Sequence, residues 1–227
     1  MRVLAIDTAL AACSVAVLDT EYGGILASES VPMVRGHAEA LLPMLKRVMD
    51  KAGTTPPDID RIAVTTGPGS FTGMRVGIAA ARGIALAPAK PVVGLTTLSA
   101  YAAPHMATDD RLPVIAAIDA RHSHVYLQVF GPGGRTSSAP RFAPLRDAIE
   151  AAAETSCAIV GSAAQSVADA LSAMDAVPAI VDGRAAPDIA WVARLGAVMA
   201  EDQSPLKPQY LRAPDAQPQN AAQLPRR

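Results

Sequence analysis

Gly67-Pro68-Gly69-Ser70-Phe71-Thr72-Gly73-Met74-Arg75-Val76-Gly77 is the stretch that decides the fold. It follows an apolar run, Ile62 to Thr66, that reads as a strand, and it opens a segment, Thr72 to Ala87, that reads as a helix. Glycine, proline and hydroxyl residues between a strand and a helix make a tight turn whose amides point towards the helix start, where an anion could rest. The spacing of a nucleotide P-loop is absent, because Met74 follows Gly73 and no lysine comes after it. Tight strand-to-helix packing is therefore the simpler expectation for the loop alone.

Within the helix the charged residues are Arg75 and Arg82, seven positions apart and so on one face. Gly73, Gly77, Ala81 and Ala85 recur at every fourth position, a stripe of minimal side chains along which another helix can approach closely. Glycine costs about 1 kcal/mol against alanine in a helix interior, so these positions need a compensating contact, either the chain's own core or a second subunit. Upstream, His37 to Ala52 carries Ala38, Leu41, Leu42, Leu45, Val48 and Met49 at helical spacing, and Ala40 and Met44 extend the apolar surface to a second side. Two such helices predict an association surface. The residues expected to form it are His37, Leu41, Met44, Leu45 and Val48 on the first helix and Gly73, Met74, Gly77, Ile78 and Ala81 on the second.

Half of the 227 residues are hydrophobic but only 4% are aromatic, which predicts an aliphatic core. A formal charge of −1 argues against a broad electrostatic grip on a nucleic acid. Cys13 and Cys157 have neither disulfide nor metal spacing and read as buried thiols of a cytoplasmic protein. Leu10-Ala11-Ala12-Cys13 looks like a lipoprotein cleavage site, but the apolar segment before it is short and broken by Asp7, so export is not expected. No apolar run reaches the length of a membrane span.

Arg2 to Asp7 and Ser14 to Asp19 read as an opening hairpin, with a third strand near Ile25 to Val31. Pro91 to Leu95 reads as a strand and Thr97 to Ala103 as a short helix, with His105 and Asp109 in a loop after Pro104. Val114 to Asp119 and Val125 to Phe130 repeat the hairpin, with His122 and His124 solvated in its turn. Helices are expected at Leu145 to Ala153, Ser166 to Ala173 and Asp188 to Glu201, and a strand at Cys157 to Val160. No nucleophile with its base, no catalytic carboxylate pair and no metal cluster emerges, so no catalytic residue and no metal ligand is assigned.

Ile6-Asp7-Thr8, Gly36-His37-Ala38-Glu39-Ala40-Leu41-Leu42-Pro43 and the Gly67 to Gly77 run together closely resemble the bacterial TsaB (YeaZ) family, part of the machinery that makes threonylcarbamoyladenosine in tRNA. Asp119-Ala120-Arg121 with Val125-Tyr126, and Pro208-Gln209-Tyr210-Leu211-Arg212 near the end, resemble further patterns of that family. The resemblance implies an α/β fold of two actin-like lobes, as in sugar kinases and heat-shock ATPases (the ASKHA fold), each with a mixed β-sheet flanked by helices. The lobes would comprise residues 1–101 and 102–204, followed by a proline-rich tail, 205–227, docked in part through Tyr210 to Arg212.

The resemblance also implies a role. The chain would be a non-catalytic subunit that forms a heterodimer with the paralogue TsaD and helps recruit the ATPase TsaE. TsaD would then transfer threonylcarbamoyl to N6 of adenosine 37 in tRNAs reading codons that begin with A. A homodimer is expected when the chain is alone, tRNA contact only indirectly, and no membrane contact. No cofactor is expected to bind tightly. ATP or ADP with magnesium is expected, if at all, at a site shared with the partner and touching Asp7, Thr8, Gly67, Gly69 and Ser70. Alanine and leucine at positions 9–12, where ATPases of this fold place glycine, weaken the competing reading of an autonomous actin-like ATPase or kinase. A metallopeptidase reading is weaker still, because the metal histidines of the paralogue fall on Thr97 and Tyr101. Gly77→Glu is expected to leave the fold intact and abolish partner binding.

Overall fold

The computed structural model describes residues 1–201 and 206–212. Its first half runs β1 (Arg2–Asp7), β2 (Ala12–Asp19), β3 (Gly24–Pro32), α1 (His37–Lys51), β4 (Arg61–Gly67), α2 (Phe71–Leu86), β5 (Val92–Thr96) and α3 (Thr97–Thr108). β1 and β2 pair antiparallel without a break, from Arg2 opposite Asp19 to Asp7 opposite Ser14, and β4 joins the other edge of β1 in parallel. Both faces of these strands are covered, which explains why they are almost wholly buried rather than alternating with polar residues. Leu4, Ile6, Val15 and Val17 point towards α1 and α2, where they meet Leu41, Val48 and Ile78. Val3, Ala5 and Ala16 point the other way.

The second half continues with β6 (Val114–Asp119), β7 (His124–Phe130), β8 (Arg141–Pro144), α4 (Leu145–Ala153), β9 (Ala158–Val160), α5 (Ala164–Ser172), β10 (Ile180–Asp182) and α6 (Ile189–Val198). The first sheet has the order β3-β2-β1-β4-β5 and the second β10-β9-β6-β7-β8. Reading the second in reverse gives the same pattern, an antiparallel three-strand meander followed by two parallel crossovers. The repeated topology makes this a two-lobed α/β fold with a duplicated core.

Two elements break the simple division at residues 101 and 102. α3 runs through that boundary to Thr108, and it places Leu98, Tyr101 and Ala102 against Val114, Ala116 and Ile118 of β6, so it belongs to both lobes. Pro104 does not end it, since burial against the second sheet holds the helix and Thr108 donates its hydroxyl back to the Pro104 carbonyl at 2.9 Å. His105 is consequently not in a loop; its Nε2 lies 3.0 Å from Asp182 Oδ2. α6, although late in the chain, returns to the back of the first sheet, with Ile189, Val192 and Ala193 against Val3, Ala5 and Ala16. Arg61 secures it by donating to the carbonyls of Gly196 and Met199 at 3.0 and 2.7 Å. β8 and β10 lie at the second sheet's edges, where the sequence reading places no strand. Cys13 and Cys157 are buried free thiols, each pushed up to about 11 by burial.

Candidate functional site

The Gly67 to Gly77 run folds against the β1–β2 turn so closely that the two loops share their polar groups. Gly67, at φ 105°, adopts a left-handed conformation that a side chain would strain. A Cβ on Gly69 would collide with the Ala9 carbonyl oxygen, and one on Gly73 with that of Thr8. The Ser70 amide donates to Ala9 O at 2.7 Å, and Thr8 donates its hydroxyl to Gly73 O, also at 2.7 Å. The Ser70 hydroxyl caps α2 by accepting from the Gly73 amide at 3.3 Å. His37, at the start of α1, lies with Nε2 3.0 Å from Leu10 O and clamps the same turn from outside.

Asp7 lies behind this junction, fully buried. Its Oδ1 accepts from the Ala9 amide at 3.0 Å and from the Thr65 hydroxyl, while Oδ2 has no partner among the described residues. Burial raises its pKa, against the hydrogen bonds that work to lower it. A carboxyl in that setting is harder to ionise than an exposed one, and so a poorer magnesium ligand. The residues Asp7, Thr8, Gly67, Gly69 and Ser70 are thus brought together, but chiefly to satisfy one another. They do not by themselves fit magnesium and a nucleotide phosphate.

Gly69 and Ser70 border a cavity of about 680 Å³ between the lobes. On one side it is lined by Ala9, Leu10, Ala11 and Phe71, and on the other by Ala120, Arg121 and Tyr126. Residues 206–212 form a strap across its mouth. Leu206 fills the space over Gly94, the Gln209 amide donates to Thr66 O at 2.8 Å, and Tyr210 stacks on Phe71 with ring centroids 4.9 Å apart. The isolated charges of α2 find their partners here. Arg75 donates to the Tyr210 hydroxyl and Arg82 to the Leu206 carbonyl, each at 2.9 Å. Arg212 reaches the other lobe, donating to Ala120 O at 3.4 Å. That the lone arginines of an apolar helix would anchor a distant tail could be guessed only from their lack of acidic neighbours.

The helix residues expected to face a partner are placed differently. His37, Leu41, Met44, Leu45 and Val48 are buried in the chain's own core, as are Gly73, Met74, Gly77, Ile78 and Ala81. The small-residue stripe serves the sheet: a Cβ on Gly77 would come within 2.6 Å of Thr8 Oγ1 and 3.4 Å of Val64 Cγ2. Gly77→Glu would therefore disrupt the fold, which corrects the expectation that the fold would survive it. The outward face adjoining these residues is instead formed by Ala38, Leu42 and Pro43 on α1 and by Ala79, Gly83 and Leu86 on α2. Thr97 and Tyr101, at the positions of the paralogue's metal ligands, are buried on α3, where Tyr101 donates to Arg184 O at 3.0 Å.

Comparison with known proteins places this arrangement. Residues 10–175, well over half of the chain, match the family described as TsaD: tRNA N6-adenosine threonylcarbamoyltransferase. The tRNA threonylcarbamoyladenosine biosynthesis protein TsaB of Escherichia coli strain K12 is 41% identical over 126 residues, which are 56% of this chain and 53% of that protein. The chain spans about half the length of the curated TsaB relatives it matches. Among solved structures, YeaZ from Pseudomonas aeruginosa is 28% identical, with a TM-score of 0.68 over 86% of this chain and 90% of that one. An uncharacterized protein described by its similarity to peptidase YeaZ from Pseudomonas aeruginosa is 29% identical, with a TM-score of 0.73 over 93% of this chain and 99% of that one. With its duplicated two-lobed core and its glycine-rich junction, the chain belongs to the TsaD family of tRNA N6-adenosine threonylcarbamoyltransferases, on its TsaB (YeaZ) branch.

Proposed function

We propose that this protein takes part in making threonylcarbamoyladenosine in tRNA as a non-catalytic, cytoplasmic subunit. It would form a heterodimer with a TsaD-type paralogue and hold that paralogue in the conformation that transfers threonylcarbamoyl to N6 of adenosine 37. One observation carries the proposal: α1 and α2 lie side by side and present apolar or side-chain-poor residues to solvent, with Leu42 63% and Leu86 82% exposed. An exposed apolar face of this kind marks a protein contact, and an interface of about 1,200–2,000 Å² would cover it. In isolation the same face would pair with a second copy of the chain. A TsaE-type ATPase would dock on the assembled pair. Any ATP or ADP with magnesium would have to be held jointly with the partner, because Asp7 and Thr8 are committed to internal hydrogen bonds.

The test is co-purification with the TsaD-type subunit. Leu42→Glu and Gly83→Glu sit on the exposed face, and nothing lies within 4 Å of a Cβ at Gly83. Both variants should fold normally and lose the complex. Normal complex formation by both would count against this face. Magnesium-dependent ATP hydrolysis by the purified chain, abolished in Asp7→Ala, would instead favour an autonomous ATPase.

A further inference from the structure

The face that α1 and α2 turn outwards carries charge as well as apolar surface. Between Asp60 and Asp109 the sequence holds no carboxylate, and the whole of α2 falls within that stretch. The two cations of α2 are not set apart from its exposed apolar residues. Arg75, Ala79, Arg82 and Leu86 follow one another at helical spacing, share one stripe, and are all exposed. What the strap offers these arginines is neutral: Arg75 donates to the Tyr210 hydroxyl and Arg82 to the Leu206 carbonyl, each at 2.9 Å. Those bonds hold the guanidinium groups in place without cancelling their charge. Lys207, exposed and next to Leu206, adds a third cation at the edge of the stripe.

Arg75, Arg82 and Lys207 form no ion pair among the described residues. Cations nearby are treated differently. Arg61, in the same carboxylate-free stretch, reaches Glu201 at 2.9 Å. On α1, Lys46 pairs with Asp50 and Arg47 with Glu29 of β3, each at 2.6 Å. Glu39 is then the carboxylate of α1 without an ion pair among the described residues. The α2 side of the face, with the strap beside it, is left with a surplus of positive charge.

We infer that the protein surface received by this face is apolar at its centre and acidic where it meets α2 and the strap, and that this charge selects such a partner over a second copy of the chain. The inference rests on the partner reading above and adds the chemistry that the partner brings. A two-fold dimer presents the same patch from both sides. Two copies therefore set one positive surplus against another, which opposes their approach, whereas an acidic surface is drawn in. Covering Leu42 and Leu86 is favourable in both complexes, so the charge decides between them. Ala79 and Gly83 keep the centre of the face flat, which suits close packing by a helix of the partner. A polyanion such as a nucleic acid would meet the cations but leave the leucines uncovered.

The two associations should answer salt with opposite sign. Between about 0.1 M and about 1 M sodium chloride the screening length falls from about 10 Å to about 3 Å. Over that range the rate of association with an immobilised TsaD-type subunit, read by surface plasmon resonance, should fall about tenfold. Sedimentation velocity of the full chain alone should show self-association strengthening over the same range. Shared among three cations, the tenfold effect is about twofold each, so Arg82→Gln with Lys207→Gln should slow association about fourfold at the lower salt and leave dissociation nearly unchanged. Lys207→Gln alone, whose side chain makes no bond among the described residues, should slow it about twofold, which guards against any loosening of the strap by Arg82→Gln. Arg135→Gln with Arg146→Gln removes the same charge from the second lobe and should leave the rate near that of the wild type. A salt-independent rate, a face variant as fast as the wild type, a second-lobe variant equally slow, or self-association that weakens with salt would overturn the inference. Each of these leaves the partner reading standing as long as Leu42→Glu abolishes the complex, and a complex that survives Leu42→Glu sinks both. Phosphatidylglycerol vesicles that bind the wild type but not Leu42→Glu would assign the face to a membrane and also overturn the inference.

Discussion

Asp7 shows that a residue's place at the end of a strand does not by itself settle its chemistry. The sequence places a carboxylate at the end of the first strand, and the structure agrees, but what decides its behaviour is the surroundings. It is fully buried, Oδ2 has no partner among the described residues, and alanine and leucine line the turn beyond it. Burial raises its pKa in the folded state above the ordinary value of 3.8. The folded protein then holds a proton that the unfolded chain releases, so stability is greatest below the unfolded pKa and declines as pH rises towards the folded one. Each unit of upward shift costs about 1.4 kcal/mol once the pH exceeds both values. Asp7→Asn removes this dependence. Thermal melts from pH 4 to pH 8 should show the wild type losing ground to the variant as pH rises, and a constant difference would mean that Asp7 ionises freely. Sequence reading finds this residue but not its burial, because whether a turn is open to phosphate or sealed by its neighbour depends on contacts some sixty residues away along the chain, such as Ser70 on Ala9.

At the scale of elements, α2 separates what pattern can say from what packing decides. The four-residue stripe of glycine and alanine is plain in the sequence and correctly implies close approach, but the approaching surface is the chain's own β1–β2 turn and sheet. Two glycines in that helix should therefore respond oppositely to one substitution. Gly83 is exposed with open space around its Cβ position, so Gly83→Ala should stabilise by about 1 kcal/mol through helix propensity, raising Tm by about 2–4 °C. Gly77→Ala gains the same propensity, but its methyl would meet the Thr8 hydroxyl at 2.6 Å and disturb the bond that Thr8 makes to Gly73 O. Overpacking of this kind costs about 1–3 kcal/mol, so Tm should fall or at best stay level. Parallel calorimetry of the two variants checks both outcomes. The long hairpins and helices are legible because hydrophobic period and turn residues agree over many positions. β8 and β10, of only four and three residues, carry too little pattern to be recognised and owe their strand form to the sheet edge they complete.

For the whole molecule, the central question is what fixes one lobe relative to the other. α3 supplies a buried pillar, packing Leu98, Tyr101 and Ala102 on the second sheet, and the His105–Asp182 pair ties its far end to β10. The strap closes the opposite side, running from Arg82 and Thr66 in the first lobe to Ala120 in the second. Its sequence, Leu206 to Arg212, contains a proline and no hydrophobic period, so its docking is expected from the family resemblance of Pro208 to Arg212 and not from periodicity. The docking depends on features elsewhere: a glycine at position 94 that leaves room for Leu206, and arginines on α2 that donate to the Tyr210 hydroxyl and the Leu206 carbonyl. Deleting residues 206–227 should remove these bonds on both lobes at once while leaving the α4–α5 core untouched. Amide exchange followed by mass spectrometry should then rise at the end of β4 and across the β6–β7 turn, with peptides of α4 and α5 unchanged. A rise confined to β4 would show that the strap merely covers the first lobe. Exchange at the β6–β7 turn is thus the measurement that separates a bridge from a lid, because that turn meets the strap through the Arg212 contact to Ala120 and lies remote from the bonds to Thr66 and Arg82.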